Sequence, residues 1–227
     1  MKKISFILVS IIALLGVCSA HQPRLEWNHP SSENNPIVVT KPEISQAFYG
    51  ILSGHADYYQ IKMDTGFLLY VNIVVPDLPK QRIDFLVDIR EGNSAVYTRL
   101  DGTKFQRTGF YEEFAGDQYF QWPEYSRQVP AGTYNIIVSN KDNQGKYSLA
   151  IGQIESFPLG ESLKTLVALP ALKIHFFNKS FFAIWQGKII QYLSYGLLAL
   201  IAIIIIIILM IKKIHHKAKN THKKGRK

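Results

Sequence analysis

The chain has 227 residues, a formal net charge of +9 and a single cysteine. Eight of its 26 Lys and Arg residues follow residue 211 and two stand at the amino terminus. That leaves 16 against 17 Asp and Glu in between, so the bulk of the chain is nearly neutral and shows no basic footprint for nucleic acid. The cysteine is Cys18, so the rest of the chain can form no disulfide and must be held by its core alone, which a stretch of this length can do.

Residues 1–20 read as a cleavable secretory signal: Lys2 and Lys3, then an apolar run over 4–17, then small residues at Cys18-Ser19-Ala20. Cleavage there makes His21 the mature amino terminus. Two alternatives are an uncleaved signal anchor and a lipid-attachment box at Leu15-Gly16-Val17-Cys18, though Val17 is bulky for the position before a lipidated cysteine.

Residues 21–44 are polar and proline-broken and are expected to form an extended lead-in, with Ile37-Val38-Val39 as one short strand ending before Pro42. From residue 45 the pattern changes to short runs of strand-forming residues between turn signals: 46–52, 58–63, 67–75 and 83–89. Residues 102–127 are less regular and rich in rings, a long connection whose side chains either fill the domain, dock another protein or form a binding face. In the last case Tyr111, Glu112, Tyr119 and Trp122 are the candidate ligand-binding residues, since rings stack on sugar faces and a carboxylate accepts hydroxyl hydrogens. A turn at Pro130-Ala131-Gly132 then leads into a strand, a loop at 141–145 and a returning strand over 146–152, read as a hairpin that brings Tyr134 and Tyr147 together on its core side. The expected fold over 45–155 is all-β, an antiparallel β-sandwich of jelly-roll type.

The run PAGTYNIIV followed by GKYSLAIG, with Asp57-Tyr58-Tyr59-Gln60-Ile61 upstream, resembles the bacterial pre-peptidase C-terminal β-sandwich over residues 45–154. That resemblance implies an accessory module. Members accompany secreted hydrolases, and some bind polysaccharide, collagen or calcium. No hydrolase domain accompanies the module here, and the chain is more similar to bacterial single-pass membrane proteins carrying such an ectodomain. The family fixes no ligand residues by motif, so none is carried over.

Residues 156–188 alternate apolar faces with Lys164, Lys173 and Lys179, too apolar for a solvated linker and too charged for a membrane span. They are expected to be short amphipathic helices, lying on the outer membrane surface or covering the base of the sandwich, with Trp185 at the interface. Residues 189–211 hold no charged side chain and are long enough to cross a bilayer as a helix. The tail over 212–227 is basic without an acid, which predicts a cytoplasmic carboxy terminus and an exported remainder.

Motifs for chemistry are absent from the sequence: no zinc spacing, no phosphate loop and no nucleophile elbow. Asp84 and Asp88 share a face of an expected strand and read as solvated acids, and Asp142-Asn143-Gln144-Gly145 reads as a turn without full calcium-loop spacing. The expectation is a non-enzymatic, cofactor-free binding module integral to the cell membrane, whose partner is an envelope glycan or protein. The alternative is a copper site or metal-dependent enzyme built on the amine and imidazole of His21, completed by His29 or His55.

Overall fold

The computed structural model describes residues 21–92 and 94–224, with side chains as far as residue 215; the expected signal at 1–20 lies outside it. Eleven strands follow in chain order: β1 (Gln22–Leu25), β2 (Ile37–Val38), β3 (Gln46–Ser53), β4 (Asp57–Met63), β5 (Phe67–Pro76), β6 (Leu86–Glu91), β7 (Val96–Asp101), β8 (Thr108–Glu112), β9 (Asp117–Val129), β10 (Gly132–Ser139) and β11 (Gln144–Ile151). They form a six-stranded sheet in the order β1-β3-β11-β5-β9-β8 and a five-stranded sheet in the order β2-β4-β10-β6-β7. Without β1, β2 and β8 the two orders are those of a jelly roll, in which successive strands, β6 and β7 excepted, pass from one sheet to the other.

That topology corrects two expectations. β10 and β11 are strands, but they do not form a hairpin: β10 pairs with β4 and β6, and β11 pairs with β3 and β5. The connecting loop turns the chain between sheets, closed by Asn140, whose side chain donates to the Gln144 carbonyl (2.7 Å) and accepts from the Gln144 amide (3.0 Å). Tyr134 and Tyr147 therefore enter the core from opposite sheets, 1% and 0% exposed. Nor is 21–44 a bare lead-in. β1 runs parallel to β3 and β2 parallel to β4, so two parallel pairs edge an otherwise antiparallel sandwich.

Alternation along the strands explains the main core. Phe67, Leu69, Val71 and Ile73 of β5 and Val87 and Ile89 of β6 point inward from the two sheets, each at most 1% exposed. β3 departs from alternation because it is covered on both faces: Phe48 and Leu52 pack inward, while Ala47 and Tyr49 join a second cluster on the outer face of the six-stranded sheet. Buried beside Phe85 is a polar group. The Tyr147 hydroxyl donates to Asp57 Oδ2 (2.6 Å) and bonds the Tyr59 hydroxyl (2.7 Å). Gly50 makes room for it, since a Cβ there would stand 2.3 Å from the Tyr147 ring.

The second cluster is closed by the segment that follows the sandwich. Helix α1 (Leu159–Ala171) contains Pro170 and continues as a single wider π turn over Leu172–Phe176; Leu172, Phe176 and Phe177 pack on Ala47, Tyr49 and Tyr119. Lys173, 0% exposed, donates to Asp117 Oδ2 and to the Ala115 carbonyl (2.6 Å each), and Lys179 donates to Asp117 Oδ1 (2.8 Å). From the sheet side, Lys146 reaches across to the carbonyls of His175 and Phe176 (2.9 and 2.7 Å). The segment thus covers the sandwich, one of the two placements expected for it. A short 3-10 helix over Phe181–Gln186 completes it, and its backbone presses on Gly116, where a Cβ would meet the Gln186 carbonyl carbon at 2.5 Å and where φ is +79°.

Residues up to Gly187 belong to this compact unit, and helix α2 (Lys188–Lys224) belongs to another. Its stretch Lys188–His215 has a mean hydropathy of 3.0 and is long and apolar enough to cross a membrane.

Candidate functional site

The irregular aromatic stretch resolves into two strands, β8 and the 13-residue β9. Its alternation is hidden by a bulge, where the register of β9 against β5 slips between Asn72 and Val74. Before the slip Tyr119 faces the outer cluster; beyond Trp122, the extra residue keeps Tyr125 and Val129 on the inner side with it.

The four expected ligand residues are consequently dispersed. Trp122 (3% exposed) lies in the sandwich core and Tyr119 (2%) under the α1 segment, so neither ring is open to a ligand. Glu112 closes its own loop by accepting from the amides of Phe114 (2.7 Å) and Ala115 (2.8 Å); burial pushes its carboxyl up, and those two amides pull it back. Only Tyr111 is exposed, and its hydroxyl donates to the Gln186 carbonyl (3.4 Å). Tyr111 and Tyr119 thus contact the covering segment, Glu112 closes the β8–β9 loop and Trp122 fills the core.

A cleft opens instead where the two sheets part, between β7 and the second half of β9. It has a volume of about 530 Å³ and is lined by Tyr97, Thr98, Glu124, Tyr125, Ser126 and Arg127. β8 pairs with β9 only as far as Gln121, which leaves this half of β9 without a neighbour on that side among the described residues. Tyr97, half exposed, stands edge-on to Tyr125 with ring centroids 6.4 Å apart. Glu124 is held by the Tyr70 hydroxyl, which donates to Oε2 (2.8 Å). The Tyr125 hydroxyl is buried, and burial together with the Tyr97 hydroxyl beside it pushes it up to about 12. The cleft therefore joins two rings, an acceptor carboxylate and a donor guanidinium.

Sequence reading came near this site without isolating it. Glu124 and Tyr125 stand in the aromatic stretch, two and three residues past Trp122, but the bulge conceals which rings face out. Tyr97 lies in β7, a strand beyond those expected.

The three histidines of the copper alternative have separate partners. The His21 ring bonds Ser45, His29 Nδ1 bonds Glu26 (2.9 Å), and His55 Nδ1 lies 3.2 Å from the Ala56 carbonyl. Among the described residues no three His, Cys, Asp or Glu side chains gather as a metal site. Asp84 precedes β6 instead of sharing its face with Asp88. Arg82 pairs with both Asp84 (2.6 Å) and Asp142 (2.5 Å), and Arg99 with Asp88 (2.5 Å).

Among solved structures, the chain is similar to the pre-peptidase C-terminal domain of a collagenase from Bacillus anthracis, with 16% sequence identity and a TM-score of 0.34 over 54% of this chain and 96% of that domain. No family model and no curated protein matches the chain. The sandwich itself is defined by its own ladders.

Proposed function

We propose that this is a single-pass membrane protein whose sandwich lies outside the cytoplasm and binds a carbohydrate of the cell envelope, without catalysis, in the cleft between β7 and β9. The observation that carries the ligand assignment is the edge-on pair of half-exposed Tyr97 and Tyr125 beside Glu124 and Arg127. A sugar offers C–H faces to the rings and hydroxyl groups to the charged side chains, so each wall has a counterpart. The anchor assignment is supported by the uncharged run at 189–211 and by the basic tail after it.

The open edge of β9 favours a second reading, addition of a strand from another protein. Glu124 and Arg127 stand on that edge, and charges there are a common guard against such pairing. The test is a glycan array probed with the detergent-solubilised full chain. Tyr97→Ala should weaken any bound glycan by about tenfold, the size of a single lost ring contact. Glycan binding indifferent to both Tyr97→Ala and Arg127→Ala would remove the cleft as the site.

A further inference from the structure

Three large rings stand out on the unit that carries the cleft. Phe181, Phe182 and Trp185 are 45%, 74% and 50% exposed, and they contact one another with centroids 5.9 to 6.5 Å apart. They share one short helix with Ala183 and Ile184, which are 8% exposed and face the unit. That helix is fixed in place by the contact of Gln186 with Gly116 and by the bond from Tyr111. The rings are therefore presented by a rigid support and not by a loose linker.

We infer that Phe181, Phe182 and Trp185 form a lipid-binding patch that seats in the extracytoplasmic leaflet of the membrane crossed by α2; this rests on the membrane reading given above. The argument for lipid as the occupant is chain length. Only Gly187 separates the short helix from Lys188, the first residue of α2, so Trp185 is three residues away from it, a reach of at most about 11 Å. The headgroup zone is about 5 to 8 Å deep on each side of the hydrocarbon core, so the rings cannot stand far from it. Indole and phenyl rings partition to that depth, where an apolar body and a polar edge are both satisfied. Recognition through rings and not through charge makes a neutral lipid the sufficient partner.

The full chain reconstituted in phosphatidylcholine vesicles, with and without bromine on the upper acyl carbons, provides the test. The difference in emission between the parent and Trp185→Phe isolates Trp185 from Trp27 and Trp122. Brominated lipid should remove most of that emission, and aqueous iodide should remove little. Emission quenched by iodide and untouched by bromine, in a chain that stays with the vesicles through an alkaline wash, would overturn the patch and leave the anchor standing. Loss of the chain from the vesicles would overturn both. Shielding from both quenchers would mean that a second copy of the chain covers the rings, and would also overturn the lipid assignment.

Discussion

Tyr134 and Tyr147 are both buried and both carry a hydroxyl, yet the hydroxyls do different things. The Tyr147 oxygen joins Asp57 and Tyr59 inside the core, whereas that of Tyr134 donates to the Pro130 carbonyl (3.1 Å) near the rim. Tyr147→Phe strands two buried polar groups and should cost about 1 to 3 kcal/mol, while Tyr134→Phe should cost less than about 1 kcal/mol. Urea denaturation of the two variants gives the comparison, and equal losses would contradict the buried network. Asp57 adds a dependence on pH. Burial pushes its carboxyl above the usual range, with the Tyr147 hydroxyl pulling it back. A carboxyl raised in the folded state contributes stability that is complete below its unfolded pKa of about 3.9 and is lost as pH rises through the folded value. Asp57→Asn should therefore gain on the parent from about pH 4 upward. Melting curves of the two that stay parallel across that range would refute the assignment. The residues of this network were legible as the Asp57-Tyr58-Tyr59 run, but their meeting with Tyr147 was not, because proximity between sheets leaves no mark in local spacing.

Among the elements, the segment from α1 to the 3-10 helix depends most on a few atoms. Asp117 is 0% exposed and receives both Lys173 and Lys179, so its removal leaves a buried ammonium with carbonyl partners alone. Breaking a pair of this kind costs about 3 to 5 kcal/mol. Asp117→Ala should loosen the segment before the sandwich: trypsin should cut after Lys173 or Lys179 in the variant at times when the parent is intact, and identical digestion patterns would count against the anchoring role. Burial also holds the Lys173 ammonium below the usual lysine range, with Asp117 opposing it. The sequence showed that the segment was amphipathic, and covering the sandwich was one of the two placements it allowed. The covering part is tied down by Lys173, which reads in the sequence as an interruption of the apolar face. The strands β3, β4 and β5 were placed within a residue or so of their observed ends because Gly, Pro and Asp turns bound them. β8 and β9 were not separated, since the bulge opposite Ile73 breaks the period on which strand reading relies.

For the whole molecule, the expected arrangement is an exported sandwich, one span and a short basic tail inside. External protease on spheroplasts should degrade the chain as far as about residue 188 and leave a small fragment bearing the tail; an intact sandwich after digestion, under conditions that cleave it in detergent, would reverse the orientation. The covering segment also has a meaning in time. Synthesis proceeds from the amino terminus, and Asp117 is made 56 residues ahead of the Lys173 that neutralises it. Until that lysine arrives, a carboxylate and the outer rings of Tyr49 and Tyr119 have no cover, so every strand can be paired while one face of the sheet remains open. In the proposed topology the last stretch to leave the translocation pore before the anchor is the one that finishes the fold, and completion of the domain would coincide with its arrest in the membrane. A chain released early would be a sandwich with an adhesive side.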